Sequence, residues 1–135
     1  MRIMAIDYGD ARIGLAVSDL TGTLTGDAWT LTEWNMERAA AVIADEAKLR
    51  RVGTLVLGLP KNMDGTEGPR AEKSRQFKAL LENVCGLPVV LWDERRSSVE
   101  AHAILHQNGK KMKKHRQVVD AVAASLILEG YLGSI

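Results

Sequence analysis

The sequence predicts an α/β fold in which a mixed five-stranded sheet is flanked by helices. Three short apolar runs near the N-terminus, at 2–7, 12–18 and 23–31, are separated by turn residues, as in an antiparallel meander. Two later apolar runs, at 54–59 and 88–92, alternate with segments of helical periodicity, and such strands are usually parallel. We therefore expect three antiparallel strands followed by two parallel ones.

Helical spacing of apolar residues predicts four helices. The first spans about 34–51, and the second begins at Pro69, a residue favoured in the first turn of a helix. A third spans about 97–106 from a capping-box spacing, and the last runs from about 117 to 132. Residues 108–116, NGKKMKKHR, are expected to form a basic loop.

The bulk properties predict one soluble domain covering 1–135. The chain has 135 residues and a net charge of +1, which by itself favours no class of partner. Its single cysteine, Cys85, excludes an intramolecular disulfide and fits a reducing compartment. There is no signal-peptide pattern and no apolar run near the roughly 18 residues of a membrane span. We therefore expect a cytoplasmic protein without membrane contact.

Acidic residues occur at three places where an apolar residue is expected. Asp7 ends the first strand, Asp93 and Glu94 end the strand at 88–92, and Asp120 lies on a helix that is apolar nearly all round. A buried carboxylate requires a partner, and ligands of α/β sheets bind at the carboxyl ends of strands. Carboxylates are ligands of Mg²⁺ and Mn²⁺, so a metal site for phosphodiester hydrolysis is our functional hypothesis.

Each acid also has a purely structural interpretation. Asp7 could be a turn residue, and Asp93 and Glu94 could pair with the arginines that follow them. Asp120 could interact with the dipole at the start of its helix. The metal hypothesis has the advantage that it explains all three places at once.

Four segments together resemble the motifs of the YqgF family, also called RuvX, a family of pre-16S rRNA nucleases related to Holliday junction resolvases. They span nearly the whole chain in the family's order: AIDYGDARIGLAVSD, LVLGLPKNMDGTEG, WDERRSSVEA and VVDAVAASLIL. The resemblance implies a ribonuclease H-like fold and a nuclease that trims the 5′ end of the 16S rRNA precursor. Branched DNA such as a Holliday junction is the second implied substrate, and the natural choice between RNA and DNA stays open.

The resemblance also implies the catalytic and metal-binding residues. Its first-strand acid falls on Asp7, the acid of its DER motif on Glu94 with Asp93 beside it, and its last-helix acid on Asp120. If the fifth strand lies two positions from the first, their backbones are about 10 Å apart. The longer side chain closes such a gap better, so we expect Glu94 rather than Asp93 to be the second ligand. One or two metal ions both remain open.

Basic residues near these acids are candidates for binding nucleic acid. Such residues bind the phosphate backbone without reading sequence. A solvated surface is the alternative interpretation, and His115 has a further possible role as a general acid or base. The candidates are Arg12, Lys61, Arg95, Arg96, Lys110, Lys111, Lys113, Lys114, His115 and Arg116.

Three further expectations concern the tryptophans, the alternative function and the oligomeric state. Trp29, Trp34 and Trp92 are expected to pack in the core rather than to stack on bases. A non-catalytic nucleic-acid-binding or ribosome-assembly protein on the same fold is the alternative function. The protein is expected to be a monomer or a homodimer.

Overall fold

A computed structural model of the protein contains five strands in one mixed sheet. It describes the backbone of residues 1–96 and 112–135 and the side chains of residues 1–95 and 119–135. The strands are β1 (Arg2–Asp7), β2 (Arg12–Ser18), β3 (Thr25–Thr32), β4 (Val52–Leu59) and β5 (Val89–Asp93). The helices are α1 (Met36–Leu49), α2 (Pro69–Cys85) and α3 (Met112–Ser134), with a 3₁₀ turn at Glu94–Arg96.

The strand order confirms the predicted sheet. It is β3-β2-β1-β4-β5, with β1–β2 and β2–β3 antiparallel and β1–β4 and β4–β5 parallel. β5 therefore lies two positions from β1, as the spacing argument assumed. Because β1, β4 and β5 run in the same direction, their carboxyl ends meet at one edge of the sheet. Asp7 and Asp93 are the last residues of β1 and β5 at that edge.

The two faces of the sheet bury different residues. Successive side chains of a strand alternate between faces, so Met4 and Ile6 pack with α1 and α2 while Ala5 packs with α3. The α3 face is lined by small residues, including Ala5 and Ala16, and α3 contributes Ala124 and Ile127 to it. Small side chains let α3 approach the sheet closely, which brings its polar residues within reach of the strand ends.

Several predicted boundaries differ from the structure. β3 begins at Thr25 rather than 23, because the amide of Thr23 is held in a turn by Asp19 Oδ1 at 2.9 Å. α1 begins at Met36, because the Asn35 side chain caps the helix by accepting from Arg38 N. β4 begins two residues early, at Val52, where it pairs with Arg2.

The last helix begins earlier than predicted. α3 starts at Met112, so residues 112–116 of the predicted basic loop are helical. Lys, Met, Arg and Gln are good helix formers, which explains why this segment extends the helix. The helix predicted at 97–106 lies outside the described residues. Among the helices that are described, none has the length and apolar character to cross a membrane.

Candidate active site

Two of the predicted acids meet at the carboxyl edge of the sheet. Glu94, in the 3₁₀ turn that follows β5, shares a side-chain hydrogen bond with Asp7 at the end of β1. Burial raises the pKa of Glu94 to about 9, and the negative charge of Asp7 acts in the same direction. The environment of Glu94 therefore favours its protonated form, and a cation bound between the two carboxyl groups would favour its ionised form.

A glycine in the strand between them allows this contact. Gly58 lies on β4, between β1 and β5, and has no side chain to separate the two acids. A Cβ atom placed there would overlap Glu94 Oε1 and would lie 2.7 Å from Ile127 Cδ1. The gap of two strand spacings between β1 and β5 is thus closed because the long side chain of Glu94 extends across Gly58.

The alternation of β5 explains why Glu94 rather than Asp93 meets Asp7. Trp92 packs on the α3 face, and Glu94 follows it on that side against Gly58 and Ile127. Asp93 instead forms an ion pair with Arg95, with 2.6 Å between Asp93 Oδ2 and Arg95 Nη2. Hydrogen bonding to Arg95 lowers the pKa of Asp93. Of the two acids, Asp93 thus pairs with an arginine, as the purely structural interpretation predicted, while Glu94 contacts Asp7.

Asp120 lies beside this pair on α3. Burial raises the pKa of Asp120 and repulsion by Asp7 adds to the effect, while Arg12 opposes it. Arg12 Nε lies 3.2 Å from Asp120 Oδ2. Gly14 on β2 lets α3 approach, because a Cβ there would overlap the Asp120 carbonyl oxygen. Asp7 thus contacts Glu94, and Asp120 lies within electrostatic range of Asp7 on the α3 side of the sheet edge.

The carboxylate oxygens of these acids are suitable ligands for a divalent cation. Within the described part of the chain, no three Asp, Glu, His or Cys side chains form a ready metal-binding group. Asp7 is hydrogen-bonded to Glu94, and Asp120 to Arg12. Mg²⁺ commonly takes one or two protein carboxylates and completes its shell with water and phosphate oxygens. Asp7 and Glu94 meet that requirement, and Asp120 is the third acid within electrostatic range.

The predicted basic residues fall into two groups. Arg12, Lys61 and Arg95 surround the acids: Arg12 pairs with Asp120, Arg95 pairs with Asp93, and the charge of Lys61 contributes to lowering the pKa of Asp93. For the other candidates, either the whole residue or its side chain lies outside the part of the chain that the structure describes. They are Lys110 and Lys111, which lie outside entirely, and Arg96, Lys113, Lys114, His115 and Arg116, whose side chains are not described.

A second feature beside the acids is absent from the sequence-based predictions. The β1–β2 turn and the start of α2 enclose a cavity of about 480 Å³. Trp34 lines it and is 77% exposed, so the expectation that this tryptophan packs in the core is wrong. Trp34 lies two residues after the end of β3 and directly before the Asn35 helix cap, outside any run of periodic apolar residues, and this position is the signal that the sequence offers. The other lining residues are Tyr8, Gly9, Asp10, Ala11, Arg12, Arg70 and Lys73.

A larger groove lies at the opposite end of the sheet. Its volume is about 830 Å³, and it is bordered by Met1, Val52 and Leu87 at the starts of the parallel strands. Its lining is mainly apolar, and Asp45 is its one carboxylate among the described residues. The larger groove therefore does not contain the acids whose pKa values are raised, because Glu94 and Asp120 lie at the other edge of the sheet.

Comparison with known families identifies the chain. A model of the RuvX family, described as Holliday junction resolvase, matches residues 1–134. The chain belongs to the RuvX family. A RuvX relative from Halothermothrix orenii, named "Putative pre-16S rRNA nuclease", is 45% identical over 132 residues, covering 98% of this chain and 94% of the relative. A relative of the same name from a Geobacillus species is 42% identical, with 99% of both chains covered.

Solved structures confirm the ribonuclease H-like fold of this RuvX chain. The RuvC resolvase of T. thermophilus in complex with a Holliday junction substrate has a TM-score of 0.63 at 15% identity, covering 99% of this chain and 97% of that one. The fowlpox virus resolvase in complex with Holliday junction DNA has a TM-score of 0.61 at 15% identity, covering 99% and 98%. At such identities the likeness concerns the fold.

Proposed function

We propose that this RuvX-family chain is a metal-dependent endonuclease that hydrolyses phosphodiester bonds in structured nucleic acid. The observation that carries the proposal is the hydrogen-bonded pair of Asp7 and Glu94, with Asp120 beside it at the same sheet edge. A protein tolerates such mutually repelling, half-buried acids at a cost in stability, which a bound cation would offset. Mg²⁺ or Mn²⁺ is the cation we propose.

The proposed mechanism assigns a task to each residue. Asp7 and Glu94 would hold the metal, with Asp120 as a third ligand or as an orienting acid. The bound cation would supply activation of a water molecule and stabilisation of the leaving oxygen. Arg12, which pairs with Asp120, would bind a phosphate oxygen of the substrate. Lys61 and Arg95 would position the backbone, together with the basic residues at 110–116.

The substrate is proposed from the names of the relatives. Those relatives are named for the precursor of 16S rRNA, and we propose its 5′ end as the cleavage region, in the cytoplasm. Branched DNA is the second candidate, because resolvases bound to Holliday junctions share the fold. The same chemistry serves both polymers, since the reacting group is a phosphodiester in each case.

The test is a cleavage assay with both substrates. Purified protein would be incubated with a precursor 5′-leader RNA and with a four-way DNA junction, each with Mg²⁺ or Mn²⁺. Asp7→Asn and Glu94→Gln should each lower the cleavage rate about 10²-fold or more, since each removes a carboxylate that would hold the metal. Asp93→Asn should retain most of the rate, because its carboxylate pairs with Arg95.

The outcomes separate the two candidate functions. If neither substrate is cut, or if Asp7→Asn cuts as fast as the wild type, the nuclease proposal is rejected. Tight binding without cutting would instead support the non-catalytic ribosome-assembly protein. Asp45→Asn at the opposite end of the sheet is the matched control, because it removes one exposed carboxylate far from the pair.

A further inference from the structure

The cavity beside the acids combines an exposed aromatic ring with positive charge. Trp34 is 77% exposed, whereas Trp92 is buried and Trp29 lies under the guanidinium of Arg50 at 4.1 Å. Leaving a tryptophan ring in water forfeits the stabilisation that burial would give, about 25 cal/mol per Å² of apolar surface. An exposed tryptophan that lines a cavity is therefore typical of a binding surface.

The backbone on both sides of Trp34 is fixed. The amide of Glu33 donates to the Ala11 carbonyl oxygen at 2.9 Å, which ties the segment to the β1–β2 turn. On the other side, Asn35 caps α1 through Arg38 N. The indole is thus presented from a rigid frame, so binding a flat ligand requires little additional ordering of the chain.

Cationic side chains surround the ring. Arg70 and Lys73, on the first turns of α2, and Arg12, at the start of β2, line the cavity together with the single carboxylate of Asp10. Lys73 Nζ lies 2.8 Å from Asp10 Oδ1. Among the described lining residues, three positive groups and one negative group give a net formal charge of +2. Its volume of about 480 Å³ is within the range of small-ligand sites.

The cavity adjoins the proposed reaction centre. Its floor is the turn that directly follows Asp7, and Arg12 connects it to Asp120. Arg70 lines the cavity, and its positive charge contributes to lowering the pKa values of both Glu94 and Asp10. Tyr8, on the same turn, is stacked on Phe77 with ring centroids 4.3 Å apart, which makes the floor partly aromatic.

We propose that this cavity binds an unpaired nucleotide next to the scissile phosphate, with its base stacked on Trp34 and its phosphates held by Arg70 and Lys73. The proposal rests on the proposed nuclease function, whose substrate class it narrows to nucleic acid with unpaired nucleotides at the cleavage position. Aromatic stacking requires an unstacked base, because a base inside a duplex has both faces covered. The contact is tolerant of sequence and selects single strands over duplexes.

The test measures binding without metal, so that cleavage plays no part. Fluorescently labelled hexamers of uridine and of thymidine, and a duplex of twice that length, would be titrated with the full-length protein in EDTA. Trp34→Ala should raise the Kd for the hexamers about 5- to 150-fold, the range expected for loss of one stacked base. Trp34→Phe should retain most of the affinity, and the duplex Kd should change less than about twofold.

A charge-matched pair of variants tests the phosphate contacts. Lys73→Gln removes a lysine of the cavity that pairs with Asp10, and Lys78→Gln removes a lysine of the same helix that pairs with Glu82. Lys73→Gln should reduce the salt dependence of hexamer binding by about 0.7 in log–log slope, the value for one single-strand phosphate contact. Lys78→Gln should leave the slope unchanged.

The proposal is overturned if Trp34→Ala binds the hexamers as tightly as the wild type, or if it weakens duplex and hexamer binding equally. An equal loss for Lys73→Gln and Lys78→Gln would reject the phosphate contact. Since these measurements use no metal, a chain that binds as described and does not cut would reject the nuclease function alone. Comparing uridine with thymidine hexamers shows whether the cavity distinguishes RNA from DNA.

Discussion

At the scale of single residues, the sequence predicted the three acids as candidates, but not the glycine that allows Asp7 and Glu94 to meet. Asp7, Glu94 and Asp120 interrupt apolar patterns, and such interruptions are visible in any sequence. Gly58 has no such signal, because its importance arises from lying between two strands that are distant along the chain. Likewise, the position of the exposed Trp34 beside the β1–β2 turn is set by the fold and not by its neighbours in the sequence. A residue that matters because it has no side chain, or because of where the fold places it, cannot be recognised from the local sequence pattern.

Replacing Gly58 with alanine should displace Glu94 and lower the cleavage rate about 10- to 100-fold, since small misplacement of a reactive group has effects of this size. The cleavage assay with the 5′-leader RNA measures this. Gly53→Ala on the same strand is the control, because its new methyl group would meet only the exposed, flexible side chain of Met1. Full activity in Gly58→Ala would contradict the role assigned to the glycine.

At the scale of elements, the types and order of the five strands and of the helices α1, α2 and α3 were predictable, because periodicity is a local property. The strand at 54–59 and the helix beginning at Pro69 were recognisable from apolar run and helical spacing. Boundaries failed where side chains decided them, as with the Asp19 turn before β3 and the Asn35 cap of α1. The close packing of α3 on β2 could not be predicted, because it depends on the pairing of Gly14 with a distant helix.

That packing gives a test of stability. Gly14→Ala would force its methyl group against the backbone carbonyl of Asp120 and bring it within 3.3 Å of Ala124 Cβ, so the helix must shift. Overpacking of this kind costs about 1–3 kcal/mol, which urea unfolding measures. Gly133→Ala, at the end of the same helix with no neighbour within 4 Å, should instead be neutral or stabilising. Equal stability of Gly14→Ala and wild type would rule out the close approach.

At the scale of the whole molecule, the acids set how stability varies with pH. The sheet gathers Asp7, Glu94 and Asp120 at one edge, where burial and mutual repulsion raise the pKa values of Glu94 and Asp120. Surface acids behave oppositely: hydrogen bonds from Thr23, Thr21 and neighbouring groups lower the pKa of Asp19 to about 2. The stability that Asp19 contributes is present above its unfolded pKa near 3.8 and is lost as pH falls towards 2. The intermediate pH range therefore reports on the buried acids.

Metal-free protein should lose stability as pH rises from about 4.5 to about 9. In this window Glu94 stays protonated when folded and ionises when unfolded, so the unfolded state binds fewer protons and gains up to about 1.4 kcal/mol per pH unit. Below 4.5 both states are protonated and the full stability is present. Urea midpoints across this range measure the effect.

Two comparisons make the pH prediction specific. Glu94→Gln should flatten the pH dependence, because glutamine does not ionise. Added Mg²⁺ should stabilise the wild type most at the alkaline end, where the cation replaces the proton most readily. The same slope in wild type and Glu94→Gln would contradict the raised pKa of Glu94.

The close approaches at Gly14 and Gly58 also bear on how this protein tolerates mutation. At both positions the smallest possible enlargement, a single methyl group, meets the backbone or side chain of a proposed metal ligand. If every substitution were tested for its effect on fitness, Gly14 and Gly58 would therefore be about as sensitive as the carboxylates, although glycine has no functional group. Searches for catalytic positions that consider only reactive side chains would overlook both, and a redesign that replaces these two glycines to gain rigidity would disturb the proposed site.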